Sequence, residues 1–114
     1  MLPLNEHTRW ILGRPNFTLA GIFRALRALG VEIATKAEDE QAVAIYWMLC
    51  LHERHGEAWR EEGDKVLNGE QICNRTACQK PGAAWWNTST RAYYCADCAK
   101  AINEHNPGLC GLLA

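Results

Sequence analysis

Four of the six cysteines in this 114-residue chain fall in two close pairs. Cys73 and Cys78 enclose four residues, Cys95 and Cys98 enclose two, and sixteen residues separate the pairs. This is C-x4-C…C-x2-C. Four thiolates in two pairs, joined by a segment long enough to fold back, suit a closed tetrahedral Zn2+ site. The competing reading is two local disulfides. A shell of four protein sulfurs has no open position for water or substrate, so the expected metal is one structural Zn2+ with no catalytic residue beside it. Such an ion supplies on the order of 10 kcal/mol of apparent folding free energy to a segment too short to build its own core. Four-cysteine ligation also permits an iron–sulfur cluster, which fits a knuckle-and-hairpin setting less well.

Other chemistry-bearing residues form weaker patterns. His52-Glu53-Arg54-His55 has its histidines three apart, whereas a helical zinc protease motif needs them four apart with a glutamate after the first. His105 lies beyond the last cysteine pair and is a weak alternative ligand. Trp85, Trp86, Tyr93 and Tyr94 are read as cover for the metal site. Alternation along a strand lets about half of them face inward. The outward ones, with Arg75, Lys80 and Arg91, would form a contact surface; Arg75, Lys80, Trp85, Trp86 and Arg91 are the candidate partner-binding residues. No Gly-rich phosphate loop, nucleophile triad or paired carboxylate set stands out.

The elements that must hold these residues are legible in part. From Gln71 the chain reads as a cysteine knuckle over Cys73–Cys78 and a turn at Lys80-Pro81-Gly82. A hairpin follows, with strands over 83–86 and 91–94, and then a helix over 96–105 with Cys95 and Cys98 at its start. Unpaired N–H groups at a helix N-terminus favour thiolates there. Knuckle, hairpin and ligand-bearing helix are the order of a treble clef; a zinc ribbon, with both pairs on knuckles, is the alternative.

Before residue 69 the pattern is helical. A short helix over 5–12 has Asn5 as N-cap and Trp10 and Ile11 as packing residues, stopped by Gly13-Arg14-Pro15. A second opens at Asn16 or Thr18 and carries the stripe Leu19, Ile22, Phe23, Leu26 and Leu29, with Arg24 and Arg27 off the stripe and Gly30 closing it. A third, from Ala37 to His52 or beyond, contains the run AVAIYWMLCL, apolar on nearly every side, and reads as the central helix. Its first turn holds Glu38, Asp39 and Glu40, which complement the helix dipole and would repel DNA if this were a helix-turn-helix. A fourth, over 57–67, points Trp59 and Val66 inward and is weakened by Gly63. The expected fold class is α+β, mainly α: a helical part over 1–68, of about four helices, packed on a treble-clef-like zinc module over 69–114.

Composition narrows the function classes. Apolar content of 48% with 22% charged residues is that of a globular chain. A net charge of −1 argues against a generic polyanion binder. Residues 1–70 hold 8 Lys+Arg against 11 Asp+Glu and residues 71–114 hold 4 against 2, so neither part is strongly basic. The longest apolar run, Ala42 to Leu51, is too short to span a bilayer. The opening MLPLNEHTRW has no apolar core of signal-peptide length, so the expected setting is a reducing cytoplasm, where paired cysteines favour metal over disulfides. Cys50 reads as a small buried hydrophobe and Cys110 as a free thiol.

The stretch STRAYYCADCAKAIN, Ser89 to Asn103, resembles small zinc-finger proteins of tailed bacteriophages and prophages, which share a C-x4-C knuckle, an aromatic strand ending in YYC and a C-x2-C followed by a short helix. The resemblance covers about the last third of the chain and carries over only Cys73, Cys78, Cys95 and Cys98. It implies a non-catalytic phage accessory protein in the bacterial host cytoplasm that binds and inhibits or regulates a host protein complex of defence or transcription. Nucleic-acid binding through the zinc module is the alternative. The chain is also similar to HNH nucleases that build on a treble clef, but residues 83–94 lack the histidine such an enzyme places on the hairpin.

Overall fold

The computed structural model describes residues 5–13 and 19–113. The helix stop at Arg14-Pro15 and the caps at Asn16 or Thr18 lie outside the described residues. The chain divides into two compact units, Met1–Gly63 and Asp64–Ala114. Five helices account for most of the described structure, with one small three-stranded antiparallel sheet.

In the first unit, α1 (Glu6–Leu12) is only seven residues long, too short to persist in water unaided. Its cap and its burial hold it. The Asn5 side-chain oxygen accepts from the N–H of His7 at 3.0 Å and of Thr8 at 3.1 Å, while Thr8 Oγ1 accepts from the Asn5 N–H at 2.8 Å. This is a reciprocal capping box in which threonine takes the place usually held by glutamate. Ile11 is fully buried, but Trp10 is 36% exposed and is covered by the Arg60 guanidinium, 4.0 Å from its ring centre.

Leu19, Phe23 and Leu26 are buried along α2 (Ala20–Leu29) and the residue before it, while Ile22 and Leu29 of the same stripe are half-buried. Gly30 ends the helix at φ 110°, and Val31 N–H returns to the Leu26 carbonyl at 3.0 Å, closing a Schellman turn that a side chain at residue 30 would strain. The central helix, α3 (Ala37–His55), buries Ala44, Trp47, Met48 and Leu51, one row at three- and four-residue spacing. It packs against α1, α2 and the short 3-10 turn Gly56–Ala58, so several elements share its apolar surface.

Two residues have roles that their sequence neighbourhoods did not indicate. Arg27, off the apolar stripe, clasps the segment between α2 and α3. Its Nη1 pairs with Glu40 at 2.7 Å, and its remaining N–H groups donate to the carbonyls of Ile33 and Ala34. Asp39 completes the clasp by accepting from Ala34 N–H at 2.7 Å. Two of the three carboxylates at the start of α3 thus order the connection as well as complementing the dipole. Gly63 lies in α4 (Trp59–Leu67), where a glycine costs helix propensity. It is buried, and a β-carbon there would come within 2.6 Å of Leu51 Cδ1 and 3.4 Å of Trp47. The missing side chain permits a close helix–helix approach.

In the second unit, β1 (Trp85–Asn87) pairs antiparallel with β2 (Ala92–Tyr94), Trp85 opposite Tyr94 and Trp86 opposite Tyr93. A third strand, β3 (Cys110–Gly111), adds to the other edge of β1, opposite Trp86 and Asn87. This strand follows α5 (Ala96–His105) and is not among the elements expected from the sequence. Its anchor is Asn103 on α5, whose amide donates to the Cys110 carbonyl at 3.0 Å and accepts from the Cys110 N–H at 2.9 Å. The Asn87 side chain, 98% buried, accepts from Ser89 and Thr90 N–H and sets the β1–β2 turn.

Arg27→Ala removes a guanidinium held by three acceptors, and we expect a loss of about 2 kcal/mol in urea denaturation followed by circular dichroism. Glu40→Gln, which removes only the ion pair of a partly exposed couple, is expected to cost less than about 1 kcal/mol. Gly63→Val overpacks Leu51 and Trp47 and lowers stability by about 1–3 kcal/mol in the same assay.

Candidate metal centre

The cysteines converge because three local structures turn the chain toward one point. The first is a tight loop over Cys73–Cys78. Cys73 N–H donates to the Lys80 carbonyl at 2.8 Å and Ala83 N–H to the Gln71 carbonyl at 3.0 Å, with a bridge between Ile72 and Pro81. At its tip, Cys78 N–H and Gln79 N–H both donate to the Arg75 carbonyl, and Gln79 takes a left-handed φ of 50° to complete the reversal. The second is the β1–β2 hairpin. Asn74 N–H donates to the Tyr93 carbonyl at 2.8 Å and Ala84 N–H to that of Tyr94 at 3.3 Å, joining the loop to β2. The third is the start of α5. Cys95, immediately after β2, is its extended N-cap residue, and Cys98 lies in its first turn.

The four sulfurs all lie within 4.8 Å of one another. Cys78 Sγ and Cys95 Sγ are 3.8 Å apart. Zinc–sulfur bonds of about 2.3 Å in a tetrahedron place neighbouring sulfurs about 3.8 Å apart, so this edge already has the required length. None of the six cysteines is in a disulfide. Cys73 and Cys98 are buried, while Cys78 and Cys95 are half-buried. The donor set and its spacing fit one ion held by four thiolates.

Electrostatics at the cluster are uneven. The Cys98 backbone N–H at the helix start favours the Cys95 thiolate and lowers its pKa to about 7. The Cys98 thiol keeps its proton for the Cys95 sulfur and is pushed up to about 12. In the cysteine loop the Cys78 N–H donates to the Arg75 carbonyl and not to sulfur. Arg75 places Nη1 4.0 Å from Cys98 Sγ, where its charge opposes the net −2 of four thiolates around a divalent ion.

The five candidate contact residues separate. Arg75, Lys80 and Arg91 are exposed and Trp85 is half-buried. Trp86 is 5% exposed and is not a surface residue. Its ring meets Tyr93 edge-on at 4.9 Å, and the Arg91 guanidinium lies 5.7 Å from its centre. Tyr93 and Tyr94 are buried as well, Tyr94 sharing hydroxyl contacts with Asn74 and Thr90. Alternation led to an expectation of two outward aromatics. The hairpin instead buries three of the four, because β3 covers its edge and α5 packs against β1 and β3.

The other thiols and the histidines stand apart from the metal-binding cluster. Cys110, near the end of the chain, is buried, and burial raises its pKa. Cys50, expected to be buried, is half-buried, and desolvation raises its pKa also. Among the described residues His52, His55 and His105 join no metal-binding group. His52 stacks on His7, whose Nδ1 accepts from the Trp59 indole at 3.1 Å.

Protein purified under reducing conditions should bind one metal ion per chain, and Co2+ substitution should give the visible and near-ultraviolet bands of tetrahedral thiolate ligation. Protonation competes with the metal for sulfur, so this stabilisation is present at neutral and higher pH and is lost on acidification. Cys95→Ser is expected to unfold residues 64–114 while leaving the helical circular dichroism of the first unit. Metal-free protein carrying two disulfides would exclude the site. No family model, curated protein or solved structure matches the chain, so its assignment rests on this convergence of four thiols.

Proposed function

We propose that the chain is a zinc-stabilised, non-catalytic binding protein whose second unit is a treble-clef module. The observation that carries this reading is the cluster of four thiols within 4.8 Å. That space suits a single ion rather than a multi-iron cluster, and four protein sulfurs saturate tetrahedral zinc. The ion's work is then structural: it fixes a knuckle, a hairpin and a helix end whose regular elements are too short to be stable alone. The succession of cysteine loop, β1–β2 hairpin and α5 supports the treble clef over the ribbon, since the second pair lies on a helix rather than on a second loop.

A closed metal shell leaves function to the surface it organises. The exposed Arg75, Lys80 and Arg91, with the half-buried Trp85, have the composition of a protein-contact surface. We favour a protein partner over nucleic acid because the aromatics that would stack on bases, Trp86, Tyr93 and Tyr94, are buried. The phage resemblance of Ser89 to Asn103 makes a host complex of defence or transcription the proposed partner, in the host cytoplasm.

Affinity purification of the metal-loaded chain from nuclease-treated lysate of an infected bacterium should retain a host protein complex. Its retention should be lost when the zinc is removed. A salt-sensitive gel shift on nucleic acid, with no protein retained, would replace this reading with the nucleic-acid one.

A further inference from the structure

Three of the described tryptophans share one arrangement. Arg60 lies over Trp10 at 4.0 Å and over Trp59 at 5.2 Å, and Arg91 lies over Trp86 at 5.7 Å. A guanidinium over an indole face is favourable because the ring quadrupole is negative there. Trp47 is sealed in the core of the first unit. Trp85 remains: it is half-buried, and among the described residues no cation or second aromatic ring covers it.

Trp85 lines an open groove of about 510 Å3 in the second unit, together with Ala96, Asp97, Lys100, Asn103 and Glu104 of α5. Its exposed lining is mostly apolar and its charged residues stand at successive turns of one helix. Asp97 and Glu104 are exposed, and neither is held in an ion pair among the described residues. Lys100 stands between them, leaving the groove one negative charge in excess. Asn103 is a fixed wall, since both ends of its amide are bonded to Cys110.

We propose that this groove receives a single arginine side chain from a protein partner, its guanidinium over Trp85 and its N–H groups directed to Asp97 and Glu104. Arg60 covers Trp10, the other tryptophan that reaches the surface, whereas beside Trp85 the chain supplies an indole and two carboxylates but no arginine. Charge complementarity selects the occupant: an apolar side chain leaves the carboxylates unused, and an acidic one is repelled. This assignment rests on the protein-binding reading above and specifies the chemistry of the partner.

The test is a titration of the isotope-labelled, metal-loaded full chain followed by nuclear magnetic resonance, with acetyl-arginine amide as probe and acetyl-norleucine and acetyl-glutamate amides as controls. The arginine probe should shift the Trp85 indole and the amides of 96–104 saturably, and the controls should not. Asp97→Asn combined with Glu104→Gln should weaken arginine binding about fivefold, while Lys100→Met should strengthen it. Equal binding of the norleucine probe, stronger binding of the glutamate probe, or no response at Trp85 overturns the proposal. In the lysate experiment, undiminished retention of a partner by the double variant overturns the groove as its contact but leaves protein binding intact. Arginine docking with no protein retained supports the cation site and removes the protein-binding reading.

Discussion

The meeting of four sulfurs is the constraint on which the second unit depends. Its strands are two or three residues long, and its helix has ten. Elements of that size do not persist in water through their own hydrogen bonds. Cys73 and Cys78 close a loop, while Cys95 and Cys98 begin a helix, so one ion would tie the two ends of the segment together. The remaining contacts follow from that closure. Asn74 reaches β2, Asn103 reaches β3, and the aromatic side chains of the hairpin are covered.

The first unit is stabilised differently. Its core is the row Ala44, Trp47, Met48 and Leu51 on α3, with Ile11, Leu19, Phe23 and Leu26 also buried. Apolar burial carries most of its stability. Polar contacts fix the geometry at places where burial does not choose. The Arg27 clasp sets the path between α2 and α3, and the Asn5–Thr8 box sets the first residues of α1. Gly63 shows a third kind of choice, in which helix propensity is sacrificed for closeness of packing.

The same economy of cover appears on the surface. The exposed indole of Trp10 is paired with the Arg60 guanidinium, which keeps its charge in water while its stem and plane shield the ring. The groove beside Trp85 departs from this pattern, and its excess of carboxylate gives the departure a chemical sense. In the proposed reading, a metal shell closed by sulfur and a recognition surface a short distance along the same helix would divide the work between holding and binding. Cys95 and Cys98 hold the beginning of α5, and Asp97, Lys100 and Glu104 line one side of it.

Much of this was legible in the residues alone. Cysteine spacing singled out Cys73, Cys78, Cys95 and Cys98 as the metal-binding set, because ligand geometry is local and close pairs leave few alternatives. Hydrophobic spacing located α2, since a helix records its buried side every three or four residues, and the long apolar run from Ala42 to Leu51 located α3. What only tertiary structure decided were the long-range choices. Arg27 and Glu40, thirteen residues apart, meet only because α2 and α3 fold together. Trp86 turned out buried because β3 and α5 cover the hairpin, and a two-residue strand leaves no periodic signature. Gly63 reads as a weak point in its own helix and becomes a point of close packing only when Leu51 stands opposite. Local spacing determines which residues can act together; the packing of distant elements determines which of them remain exposed to do so.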